Sequence, residues 1–353
     1  MRDETNLILD SAQRVFARVD DEAIRRAERG EWLGETWDAL AEFGAPLMLL
    51  GEEQGGFGLP VQDAFALVHF AGQFCVPLPL AEAMLGNWAL AQAGLPLGEG
   101  PLTVAVPQPG DDVHLERREG GWHIAGTVSG VPWGRFADVV LIADGHMVRI
   151  ARGLGQIHHD ANLADQPRDT LTFDTQLSNG MVAESAELTP AIVEAAGAAL
   201  CTASIAGALE RVLDMAVNYA GEREQFGRPI AKFQAIQQNL ARLAGESVAA
   251  NGALGLAASS FASDVARSGI AAAKSRASEA GGDGAAIAHQ IFAAIGFTRE
   301  HRLNHYTRSL WSWREEFGNE AYWNRELGEA AVEAGPAGLW PMITRLDAAG
   351  GGA

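Results

Sequence analysis

Apolar and polar positions along this chain change their period twice. In NLILDSAQRVFARV, ETWDALAEFG, VQDAFALVHFAGQF and PLAEAMLGNWALAQAG the apolar residues recur every three or four positions, the spacing of one helix face. GEEQGGFGLP, at 51–60, has four glycines and a proline and reads as a loop. Near Gly98 the period becomes two. LTVAVPQP, GWHIAGTVSGV, ADVVLIADG, HMVRIARG and DTLTFDTQL are short, β-branched and separated by turn residues, which predicts antiparallel strands. Helical spacing returns near 188. Ile192, Ala196, Leu200, Leu209, Val212, Leu213 and Ala216 share a broad face of a helix over 189–221, and FQAIQQNLARLAGESVAANGALGLAASSFASDVA forms a second. GIAAAKSRASEA and AAIAHQIFAAIG predict two more, with GGDG at 281–284 as the loop between them. The expected fold is α+β and mostly helical. It has an N-terminal helical domain over 1–98, a small antiparallel β-domain over 99–185, a C-terminal four-helix bundle over 186–347 and a flexible tail over 348–353.

Composition narrows the partners. A net charge of -19 among 353 residues repels nucleic acid and anionic membrane surfaces, so any phosphate site needs its own local arginines. Cys75 and Cys201 are the two cysteines, which fits a reducing cytoplasm better than a disulfide framework. The N-terminus lacks a signal-peptide apolar run, and the chain has no uninterrupted apolar stretch long enough for a bilayer. A cytoplasmic protein is expected.

Candidate chemistry centres on REQFGRP, 223–229, a charged and glycine-broken interruption between two long helical stretches. Arg223 sits where two helix ends meet. It is placed either to present a planar guanidinium to a carboxylate or pyrophosphate, or to pair on the surface with Glu222, Glu224 or Glu246. His301 and His305 share a helix spacing, but no third His or Cys cluster joins them, so no metal is expected. GGDG lacks the Lys-Ser/Thr of a phosphate loop. Trp311, Trp313 and Trp323 with Phe317 read as core or subunit packing.

The combination of Arg-x-Gln-Phe-Gly, Phe233-Gln234, Gln237 and HQIFAAIGFTREH at 289–301 resembles the acyl-CoA dehydrogenase family. LGEEQGGFGLPVQDA and GWHIAGTVSGVPWGRFADVVLIA resemble its N-terminal and β-domain segments, so the likeness spans nearly the whole chain. It implies FAD bound between subunits and oxidation of an acyl-CoA thioester to the 2,3-enoyl-CoA, with an electron-transfer flavoprotein as acceptor. It also implies that Arg223, Gln225 and Phe226, with Phe233, Gln234, Gln290, Ala293 and Ala294, serve a neighbouring subunit's cofactor.

The chain departs from the family pattern in three places. The slot of the usual catalytic glutamate holds Phe317, and the alternative slot holds Gly197; Glu315 and Glu316 are offset on the helix by one or two residues, about 100° each. A lost general base costs about 10²–10⁴ in rate. The Thr-Glu-Pro segment that holds a flavin ring is reduced to Gln108-Pro109-Gly110, and the glycine pair after Gln290 is Ala293-Ala294. The resemblance thus implies the shorter, base-lacking subunit of an α2β2 dehydrogenase of the bacterial steroid side-chain type. The alternatives are a homotetramer using Glu315 or Glu316 as a displaced base, or a flavin oxidase or monooxygenase on the same fold.

Overall fold

The computed structural model describes residues 2–185, 188–263 and 266–348. Two compact units are present: residues 1–64 with 77–197, and residues 65–76 with 198–353.

The first unit opens with α1 (Arg2–Phe16), α2 (Asp21–Glu28) and α3 (Gly34–Glu42), followed after the glycine-rich loop by the start of α4 (Val61–Phe74) and by α5 (Leu80–Gln92). Asp20 caps α2 by accepting the Ala23 N–H at 2.8 Å, which satisfies a donor that a helix start leaves orphaned. The strands follow as β1 (Leu102–Val104), β2 (Asp112–Arg118), β3 (Gly121–Pro132), β4 (Asp138–Ala143), β5 (His146–Ile150), β6 (Gln156–His158), β7 (Arg168–Leu177) and β8 (Val182–Glu184). They form two four-stranded sheets, ordered β1-β4-β5-β8 and β2-β3-β7-β6. Pairing is antiparallel except between β1 and β4, which run parallel. The period of two works as expected: Leu171, Phe173 and Leu177 of β7 point inward with Ile124 and Val128 of β3, and join Val139, Leu141 and Val148 in one apolar core.

The second unit holds most of α6 (Pro190–Glu222) and then a two-residue hairpin, β9 (Glu224–Gln225) and β10 (Arg228–Pro229). It continues through α7 (Gln234–Ala262), α8 (Arg267–Phe292), α9 (Leu303–Glu315) and α10 (Glu320–Ala348). By length and composition α6 is apolar enough to cross a membrane, yet 83% of its most apolar window is buried within the fold. α8 corrects the expectation of two helices separated by GGDG, since it runs unbroken through Gly281–Gly284. The glycines there allow close packing: a Cβ on Gly284 would lie 2.3 Å from a Leu209 methyl of α6. α10 kinks at Gly335 (φ 63°), where Pro336 restarts the helix. The expected tail at 348–353 lies, apart from Ala348 at the end of α10, outside the described residues.

Candidate functional site

The connection between α6 and α7 is built from the hairpin β9–β10, whose turn is Phe226-Gly227. Both turn residues have positive φ, 54° and 77°, as a two-residue turn of this hand requires. Glycine adopts that region freely and phenylalanine only at a cost. Phe226 nevertheless stands 92% exposed at the tip. Beneath it Phe233 lies 6.1 Å away edge to face, and the Arg228 guanidinium covers Phe233 at 4.3 Å. The Ile230 N–H returns to the Arg223 carbonyl at 2.8 Å and closes the loop. The Arg223 side chain points outward, with no ion pair among the described residues. This overturns the surface-pairing alternative: Glu246 is taken by Arg276 of α8, and neither Glu222 nor Glu224 holds the guanidinium.

α7 and α8 are joined by four residues and pack along their length, so they run in opposite directions. The last turn of α8 therefore reaches the same end of the unit as the first turn of α7. Tyr219 of α6 stacks on Phe292 there, with centroids 4.4 Å apart. Gln290 is exposed and its amide makes no hydrogen bond among the described residues. Ala293 ends the helix at φ 52°, ψ −139°, a conformation natural to glycine, and with Ala294 it lies at the surface. One end of the unit thus gathers Arg223, Gln225, Phe226, Phe233, Gln234, Gln290, Ala293 and Ala294. The sequence does not single out His289, which is buried beside Gln290. Its Nε2 meets the Thr307 Oγ1 at 3.2 Å, its Nδ1 has no partner, and burial holds its pKa below the ordinary histidine value.

Glu315 and Glu316 lie elsewhere, at the end of α9. Glu315 is exposed and accepts the Asn319 Nδ2–H at 3.0 Å, while Glu316 is the helix's C-cap. Phe317 (φ 54°) and Gly318 (φ 87°) then turn the chain sharply. Lys274 of α8 pins this turn from below. Fully buried, its Nζ donates to the carbonyls of Trp313 (2.9 Å), Arg314 (3.0 Å) and Gly318 (2.9 Å) and to the Ser278 Oγ (3.1 Å). The Trp323 indole N–H donates to the Phe317 carbonyl at 3.0 Å. Burial pushes the Lys274 pKa down, while Cys201, Glu316, Glu320 and Glu315 pull it up. Four acceptors around one nitrogen satisfy an ammonium fully. The signal for this clamp is visible in the sequence, since Lys274 shares the apolar α8 face of Ile270, Ala277 and Gly281. From Lys274 to Gln290 is 16 residues of α8, about 24 Å. The structure therefore brings the cofactor candidates together and sets the two glutamates apart from them. Gly197, the other base slot, is a buried position on α6.

In the first unit Asp111 ties down the Gln108-Pro109-Gly110 turn. The Asp111 carboxylate accepts the Gln108 N–H at 2.7 Å, the Ser129 N–H at 3.2 Å and the Ser129 hydroxyl at 2.7 Å. Nearby, Asp169 is fully buried and takes the Arg135 backbone N–H (2.8 Å) and guanidinium, fixing the WGRFAD loop. Among the described residues, the end of the second unit thus presents an unpaired cation and free side-chain amides.

Comparison with known proteins gives the family and the fold. Residues 195–331 match the family model described as acyl-CoA dehydrogenase, C-terminal domain. Acyl-CoA dehydrogenase IpdE2 of Mycobacterium tuberculosis is 30% identical over 310 residues, covering 86% of this chain and 90% of the relative. Two solved structures share the fold. One is a variant of the Tcur3481–Tcur3483 steroid ACAD (TM-score 0.83, 23% identity, 94% of this chain and 98% of that chain). The other is the ChsE4–ChsE5 complex from Mycobacterium tuberculosis (TM-score 0.81, 24% identity, 93% and 98%). The fold is thus that of the helical acyl-CoA dehydrogenases. The chain belongs to the acyl-CoA dehydrogenase family, whose members are FAD-dependent oxidoreductases.

Proposed function

We propose that this chain is the base-lacking subunit of a cytoplasmic α2β2 acyl-CoA dehydrogenase, in which it supplies the diphosphate and adenine side of an FAD site to a homologous catalytic subunit. The observation that carries the reading is the unpaired Arg223 beside a 92% exposed Phe226 on a strained turn. A phenyl ring gains nothing from facing water, and the guanidinium beside it has no carboxylate partner among the described residues. Both become favourable against a diphosphate and a second protein surface. Two fold neighbours are themselves described by paired names, Tcur3481–Tcur3483 and ChsE4–ChsE5, which supports a partnered assembly.

Bound FAD supplies the acceptor for the hydride that leaves the β-carbon of an acyl-CoA. In this chain Arg223 offsets the diphosphate charge, and Gln225, Gln234 and Gln290 offer amide N–H groups to the same cofactor. Phe226 and Phe233 exclude water from the ion pair, which strengthens it. Phe317 places a ring where a proton acceptor would be needed, so the base comes from the partner. An electron-transfer flavoprotein would be the electron acceptor of such an assembly.

The test is co-expression with a homologue that carries the glutamate. The chain alone is expected to form no 2,3-enoyl-CoA, and the mixed assembly to form it at ordinary rates of about 1–10³ per second. Turnover at such rates by the purified homomeric chain would overturn the reading in favour of Glu315 or Glu316 as a displaced base.

A further inference from the structure

Three rings form a near-parallel ladder at the cofactor end of the second unit. Trp311 of α9 lies 5.6 Å from His289 of α8 with planes 19° apart. Phe297 lies 4.3 Å from His289 with planes 21° apart. His289 is buried, Trp311 is half-buried, and Phe297 is 71% exposed. Phe297 comes from the short turn 293–297 that follows the strained Ala293, and Gly296 lets that turn pass close to the imidazole: a Cβ there would lie 3.3 Å from the His289 Nδ1. The exposed face of Phe297 thus ends a stack whose inner members are fixed by packing and by the His289–Thr307 hydrogen bond. A phenyl ring held flat against one neighbour and open to water on the other side is a ready plate for one more planar ring.

Gln290 identifies the ring. It follows His289 on α8, is exposed, and its amide is unused among the described residues. A side-chain amide is the bidentate complement of the adenine edge, offering one donor and one acceptor. We propose that Phe297 is a cofactor-binding residue, stacking the adenine ring of the dinucleotide on its outer face while Gln290 reads that ring's edge. This rests on the reading above that FAD lies at this end. It adds a stacking surface, Phe297 over His289 and Trp311, to the motif residues already assigned.

The experiment measures binding of FAD and of FMN, which lacks adenine, by equilibrium dialysis against the full-length chain with the subunits that purify with it. Phe297→Leu removes the flat ring and keeps an apolar side chain, Phe297→Trp keeps a ring, and Arg223→Ala controls for the diphosphate site. Base–aromatic stacking sets the expected size: Phe297→Leu weakens FAD about tenfold. It leaves FMN and the thermal midpoint unchanged, and Phe297→Trp stays within about threefold of the parent. If Arg223→Ala weakens FAD and Phe297→Leu does not, the adenine plate is wrong and the diphosphate reading stands. If Phe297→Trp is as weak as Phe297→Leu, or FMN weakens equally, the plate is likewise wrong. If the parent protein binds no FAD, or Arg223→Ala has no effect, the proposed function fails and the plate fails with it.

Discussion

Ala293 shows how much one backbone angle carries. At φ 52°, ψ −139° it occupies a region open to glycine and costly to alanine, on the order of 1–3 kcal/mol. Ala293→Gly is therefore expected to raise stability by about 1 kcal/mol in chemical denaturation, after the greater freedom of the unfolded chain is subtracted. No gain would mean that the helix end tolerates the methyl group without strain. The helical pattern of AAIAHQIFAAIG hides this, since alanine reads as a helix former; only the glycine pair that the family carries at this place points to it. Arg223 is the opposite case. Its place between two helices is plain in the sequence, but its lack of an ion pair is not, because Glu246 looks available until α8 folds back and Arg276 takes it. Sequence patterns report where a side chain starts and seldom which competitor reaches its partner first.

At the scale of elements, the period of the apolar residues gave the order of helices and strands, and it failed where glycine has two meanings. GGDG reads as a loop because glycine punctuates most chains. In α8 the same glycines let Leu209 approach the helix backbone. Only the presence of α6 against that face distinguishes the two uses. The neighbouring Lys274 is the element's other hidden feature, a buried cation that closes the C-terminal carbonyls of α9. Lys274→Met leaves the Trp313, Arg314 and Gly318 carbonyls without their donor and is expected to cost on the order of 3 kcal/mol. Lys232→Met, at an exposed position, should stay within about 0.5 kcal/mol. Equal effects in urea denaturation would show that the ammonium is not the clamp.

For the whole molecule, the two ends of α8 divide the labour. One end presents a guanidinium, free amides and flat rings outward; the other holds a tightly bonded turn in which phenylalanine stands at the expected base slot. The family and the overall fold were legible because their motifs are contiguous stretches of sequence. The division was not, because it depends on α7 and α8 running antiparallel and carrying Gln290 back to Arg223. The most direct test of the account is the FAD content of the purified assembly bearing Arg223→Ala in this chain. Loss of most of the bound FAD with an unchanged subunit composition is the expected result, and a full complement of FAD in that variant would contradict it.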